Sequence, residues 1–158
     1  MLRKNLDVPA INPPKGCRIA VVASQYNAEY VDSMLEGALS TLSPFDQLEV
    51  LTIRVPGAFE IPVVVSELLG GETDSEAVIC LGVVLRGKTT HAQHITESVT
   101  DALMQLQVDY RTPVVHEVLL LEDRQQASER CLDPEHNRGV EAAQTALRMV
   151  SVLHQLRT

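Results

Sequence analysis

Two rhythms of apolar and polar positions alternate along this chain. Short apolar runs rich in valine and isoleucine recur, and between them apolar residues return at every third or fourth position. The first run, "CRIAVVAS" (17–24), is continuous, as a strand covered on both faces requires. In "AEYVDSMLEGALSTL" behind it, Val31, Met34, Leu35, Ala38, Leu39 and Leu42 fall on one helical stripe. "QLEVLTIRV" (47–55) predicts a second strand, and "AFEIPVVVSELLG" (58–70) a helix that takes Pro62 in its first turns. "AVICLGVVL" (77–85) predicts a third strand. Residues 91 to 110 predict a helix with Ile95, Val99, Ala102, Leu103, Leu106 and Tyr110 on one side. "PVVHEVLLL" (113–121) predicts a fourth strand. Helical sequence follows near 123–132 and over 139–156, where Val140, Ala143, Leu147, Val150 and Leu153 share a face. Residues 1–16, with three prolines and a lysine-glycine exit, read as an extended arm before a single domain over 17–158.

Strands alternating with helices imply an α/β fold: a three-layer α/β/α sandwich on a four-stranded parallel sheet, flavodoxin-like in scale. In such open sheets ligands sit outside the carboxyl ends of the strands. Three of the four turns there carry groups suited to a ligand: Tyr26 and Asn27, then Gly57, Phe59 and Glu60, then Lys88, Thr89, Thr90 and His91. In the third turn, Thr90-His91-Ala92-Gln93 fits a capping box, with Thr90 as N-cap and Gln93 at the third helical position. Free amides and the dipole at such a helix start attract anions, and Gly87 lets the backbone approach closely. Either Thr90 merely caps the helix and His91 is a solvated surface residue, or His91 opens the helix where the dipole is expected to keep its ring neutral and ready for proton transfer. Glu60 either supports its helix start through the dipole or accepts hydrogen bonds from ligand hydroxyls. Tyr26 is either a half-buried packing residue or a platform for a flat heterocycle. The chain has only five aromatic residues, so finding one in each of two ligand-side turns favours a planar ligand.

Charge narrows the partners. With 13 basic against 21 acidic residues the net charge is −8, which argues against nucleic acid or an anionic membrane. An anionic small molecule would have to be met by locally placed cations. Cys17, Cys80 and Cys131 are widely spaced and odd in number, which predicts buried free thiols, and the histidines show no zinc spacing; no metal is expected. No run is long and apolar enough to span a bilayer, and the start lacks a secretory apolar segment, so a cytoplasmic location is expected.

Taken together, "YN" after the first strand, "RVPGAFEIP", "GVVLRGKTTHAQH" and "ERCLDPEHNRGVEAA" resemble the lumazine synthase family of riboflavin biosynthesis, in the same order and spacing from Cys17 to the last helix. The resemblance implies a condensation of 5-amino-6-(ribitylamino)uracil with 3,4-dihydroxy-2-butanone 4-phosphate, without metal or organic cofactor. It implies that Tyr26 stacks on the pyrimidine, and that Ala58, Phe59 and Glu60 with Val83, Val84 and Leu85 hold the ring and ribityl chain. Lys88 and Thr89 would offer backbone amides to the phosphate, Arg130 would pair with it, and His91 would move protons. Asn27 and Arg138 would be secondary contributors. A homo-oligomer is implied as well, a pentamer or a pentamer-based shell, with position 116, Arg130 and Arg138 reaching the site from a neighbouring subunit. Riboflavin synthase is a further candidate partner.

The chain departs from the family pattern at several of these positions. His116 stands for phenylalanine, Glu117 for glycine, Ala92 for an aromatic residue, Gln93 for an acid and Arg138 for lysine. His116 is expected at a strand end, in or near the pocket. A non-catalytic flavin or lumazine binder is the alternative that these departures leave open. A phosphoacceptor receiver or a flavodoxin would need an acidic pair or a phosphate loop where the chain has "SQYNAEY".

Overall fold

The structure, a computed structural model, describes residues 13–157. Residues 1–12 of the expected arm lie outside the described residues. Its last residues form a tight turn in which Cys17 N–H donates to Pro14 O (3.0 Å), with Gly16 at φ 80°. Only glycine takes that left-handed conformation at no steric cost.

Four strands and five helices follow: β1 Arg18–Ser24, α1 Ala28–Leu42, β2 Glu49–Val55, α2 Ile61–Gly70, β3 Ala77–Leu85, α3 His91–Tyr110, β4 Val114–Leu121, α4 Arg124–Ala127 and α5 Arg138–Arg157. A 3-10 turn, Ala58–Glu60, leads into α2, and a π-turn, Ser128–Leu132, continues α4. All strand pairs are parallel, in the order β2-β1-β3-β4. The expected four-stranded parallel sheet between two helical layers is what forms. β1 and β3, in the centre, are buried almost throughout, which is why their sequences are continuous apolar runs. β2 is an edge, and most of its residues are exposed despite similar composition.

Side chains alternate across the sheet and sort the core into two halves. Ile19, Val21, Ile79 and Leu81 pack toward α1 and α5. Ala20, Val22, Val78 and Cys80 pack toward α2 and α3. The three cysteines are free and buried, as expected, and burial pushes each thiol's pKa upward.

The junction of α1, the π-turn and α5 is held by Asn137. Its Oδ1 accepts the N–H groups of Gly139 (2.8 Å) and Val140 (3.2 Å), capping α5. Its Nδ2 donates to Ser33 O (3.1 Å) on α1 and to Cys131 O (2.9 Å). One buried amide therefore satisfies groups from three segments.

Candidate active site

The order β2-β1-β3-β4 places a topological switch between β1 and β3. There the chain leaves two neighbouring strands in opposite directions and opens a crevice at their carboxyl ends. Asn27 spans it. With φ 57° it turns the chain from β1 into α1, and its Nδ2 donates to Val83 O (2.8 Å) at the end of β3. Its backbone carbonyl accepts Tyr30 N–H and Val31 N–H, so the same residue starts the helix. Gln25 N–H donates to Val55 O (2.8 Å) and Tyr26 N–H to Pro56 O (3.0 Å), locking this turn onto the one after β2. Arg54 braces the pair from below: its guanidinium donates to Ala23 O (3.2 Å) and Ser24 O (2.9 Å) and pairs with Asp32 (2.8 Å).

The second turn explains its own glycine. A Cβ on Gly57 would lie 2.8 Å from the Tyr26 ring and 3.0 Å from Glu60 Oε2. Gly57 N–H donates to Glu60 Oε2 (2.9 Å) and Glu60 N–H to Gly57 O (3.2 Å). One carboxylate oxygen of Glu60 thus shapes the turn. Tyr26 and Phe59 are 65% and 62% exposed. Tyr26 is therefore not the half-buried packing residue that was one of its two readings.

The third turn corrects an expectation. Thr90 is the N-cap of α3, but its side chain caps nothing and Gln93 Nε2 donates to Glu97 Oε1 (2.8 Å). At φ −80° and ψ 5° Thr90 lacks the extended backbone that turns a capping hydroxyl toward the helix amides. Thr90 Oγ1 meets His94 Nε2 (3.2 Å) instead, and His91 N–H donates to Thr89 Oγ1 (3.3 Å). Lys88 and Thr89 are exposed, and Gly87 has open space around it. His91 sits on the first turn of α3, one turn before Ile95, and both face the crevice.

The result is a cleft of about 560 Å³ lined by Tyr26, Asn27, Gly57, Ala58, Phe59, Glu60, Val83, Val84, Leu85, His91 and Ile95. Its walls are mostly apolar, with few polar groups, the pattern that orients a small organic ligand. Among the described residues no three His, Cys, Asp or Glu side chains are grouped to hold a metal ion.

His116, Arg130 and Arg138 do not line this cleft in their own chain. His116 is the third residue of β4 and pairs with Cys80, well before the strand end where it was expected. It lies on the α3 side: Val118 N–H donates to its Nδ1 (3.1 Å), which leaves the proton on Nε2 to donate to Thr100 Oγ1 (2.7 Å). Burial lowers its pKa from the ordinary histidine value. The sheet register, which no local pattern encodes, decides this position. Arg130 lies in the π-turn and Arg138 opens α5, on the other side of the sheet.

The family model described as 6,7-dimethyl-8-ribityllumazine synthase matches residues 16–154. The chain belongs to the 6,7-dimethyl-8-ribityllumazine synthase family. A protein of that name from Stenotrophomonas maltophilia is 35% identical over 148 residues, 92% of this chain and 95% of that protein. One from Xylella fastidiosa is 37% identical over 147 residues, covering 90% and 94%. One from Bdellovibrio bacteriovorus is 35% identical over 139 residues, covering 88% and 76%.

Against the lumazine synthase pattern, two departures find a structural account. Ala92 is buried at 7% exposure on the first turn of α3, where this chain leaves little room for an aromatic ring. Glu117 does not enter a tightly packed spot: it is half-buried on the α5 side of β4, in the field of Arg138 and Arg130. Sequence reading missed Ile95, which lines the cleft, and Arg54, which braces the end of β1. An apolar cleft wall has the same periodicity as core, and a brace that donates to distant carbonyls carries no local signal.

Proposed function

We propose that the cleft binds 5-amino-6-(ribitylamino)uracil and that the protein condenses it with 3,4-dihydroxy-2-butanone 4-phosphate to 6,7-dimethyl-8-ribityllumazine, phosphate and water. One observation carries this reading: Tyr26, Phe59, Glu60 and His91, drawn from three turns, converge on one cleft in a chain of this family. The exposed faces of Tyr26 and Phe59 offer stacking area to the pyrimidine. The free oxygen of Glu60 accepts from ribityl hydroxyls, and Val83, Val84 and Leu85 line the strand end along which that chain lies. Asn27 acts through the turn it holds, because its amide is committed to Val83 O.

The 5-amino group attacks the ketone of the butanone, and loss of water gives the imine. Phosphate is then eliminated, the ribityl-bearing nitrogen attacks the carbonyl left on the four-carbon unit, and loss of a second water completes the ring. Each step relocates a proton, and His91 at the cleft edge is the group to carry them. The amides at Lys88 and Thr89, with a guanidinium, meet the charge of the departing phosphate. Holding both substrates in register supplies much of the remaining acceleration.

The guanidinium comes from a second copy of the chain. Arg130 is half-buried, has no ion-pair partner among the described residues, and lies across the sheet from its own cleft. Phe59, Val63, Met104, Val108 and Tyr110 are exposed at 43% or more, apolar area that a homo-oligomer would cover. A pentamer, alone or within a larger shell, is the assembly proposed. Three free thiols fit a reducing cytoplasm, and no helix among the described residues is long and apolar enough to cross a membrane.

Mixing the protein with both substrates and following lumazine fluorescence tests the reading. Product is expected only when both are present, and ligand binding without turnover would mark a non-catalytic binder instead. Arg130→Ala is expected to raise KM for the butanone phosphate by about 10- to 100-fold, as loss of a charge-assisted contact does, with little change in KM for the ribityl substrate. Equal effects on both substrates would remove Arg130 from the phosphate site.

A further inference from the structure

Glu117 is the one acid of β4, and its charge is felt by two arginines on the same side of the sheet. It pairs with Leu81 in the register and shares its side of the strand with Val115, Leu119 and Leu121, the side covered by α5 and the π-turn. From α5, Arg138 donates through Nη1 to Glu141 Oε2 (2.8 Å), while its buried Nε finds no hydrogen-bond partner among the described residues. From the π-turn come Arg130 and the buried thiol of Cys131. α4, which also packs on β4, carries one charged residue, the exposed Arg124. His116, on the same strand, points to the opposite face.

We propose that Glu117 is a positioning residue that tunes phosphate affinity: ionised, it offsets the positive charge of Arg130 and Arg138, and protonated, it leaves that charge whole for the phosphorylated substrate. This rests on the reading above that Arg130 meets the phosphate. Two arginines and two carboxylates make a neutral cluster when Glu117 and Glu141 are both ionised, and a singly positive one when Glu117 holds a proton. Desolvation pushes the Glu117 carboxyl up to about 7, further than the pull of Arg138 and Arg130 lowers it, with Glu141 adding to the rise. The change of charge therefore falls near neutral pH. As pH falls through 7 the cluster gains positive charge and holds phosphate more tightly, and as pH rises it lets go.

The experiment measures competitive inhibition by inorganic phosphate, and KM for the butanone phosphate, between pH 6 and 8. It compares wild type with Glu117→Gln, a neutral isostere, and with Glu117→Ala as a second neutral variant. Removing one nearby negative charge is expected to tighten phosphate about fivefold at pH 8 and to change it little at pH 6. Phosphate's own ionisation changes in this window for every variant alike, so the ratio of variant to wild type isolates Glu117. A ratio that stays flat across the range overturns the proposal. Arg130→Ala, run alongside, separates the two possible failures. If it weakens phosphate while the ratio stays flat, only the role of Glu117 falls. If it leaves phosphate affinity unchanged, the phosphate site itself lies elsewhere and both fall.

Discussion

Replacing His91 with alanine should slow turnover by about 10²- to 10⁴-fold, the range for removal of a general acid–base group, while KM for the ribityl substrate changes little. The separation of the two effects follows from where the ring sits. His91 is exposed at the first helical position of α3, and its backbone N–H, which alanine keeps, makes the bond to Thr89 Oγ1. Alanine suits a helix start, so the fold and the neighbouring turn should persist. The ribityl substrate is met by Tyr26, Phe59, Glu60 and the end of β3, none of which His91 supports. What disappears is the proton carrier, and the loss should fall on kcat. Added imidazole should restore part of the rate to the alanine variant and leave wild type unaffected. Steady-state kinetics with each substrate varied in turn, with and without imidazole, checks this. A variant retaining near-normal kcat would assign proton transfer to another group.

The largest structural effect is expected from Gly139→Ala. A Cβ at Gly139 would overlap the backbone carbonyl of Met34 on α1, so nothing flexible can yield. The two helices would have to move apart, and overpacking against backbone should cost about 3 kcal/mol or more. The same crossing holds Gly37, whose Cβ would lie 2.8 Å from Asn137 Oδ1, and the Asn137 amide that joins α1, the π-turn and α5. Separation would loosen these bonds together and displace Arg138, the next residue in the chain. The loss should appear as a lower thermal midpoint at fixed protein concentration, which matters for a chain that self-associates. Gly87→Ala is the control, since nothing lies within 4 Å of a Cβ there, and its midpoint should stay close to wild type. Equal midpoints for the two variants would show that α1 and α5 can part without cost.

The two experiments probe different levels of the same molecule. His91 is a side chain whose chemistry is used and whose packing is not. Gly139 has no side chain at all, and its use is the distance it allows between two helices. The cleft depends on both, because the turns that carry its residues are held by helices packed on each side of one sheet.

Much of this was legible in the chain itself. Burial on a helix recurs every three to four residues and burial in a central strand is continuous, so the order of strands and helices can be read locally. Thus α1 and α3 fall where their stripes predict, β1, β2 and β4 begin one or two residues later than their apolar runs, and the ligand-side turns follow the strands as expected. The residue types of the cleft were legible for the same reason: Tyr26, Glu60 and His91 each stand just beyond a strand or at a helix start. What the sequence could not decide was which strands become edges, how β4 registers on β3, and which face each of its residues presents. Those depend on pairings between segments far apart in the chain, and they put His116 against Thr100, Glu117 among arginines, and β2 at the rim. The failed capping box has a smaller cause of the same kind, a backbone angle at Thr90 that residue types alone do not specify. Local periodicity therefore determined the elements and the chemistry they could carry. Tertiary packing decided which of those groups meet, because contact across a sheet is set by strand order and register rather than by neighbours in sequence.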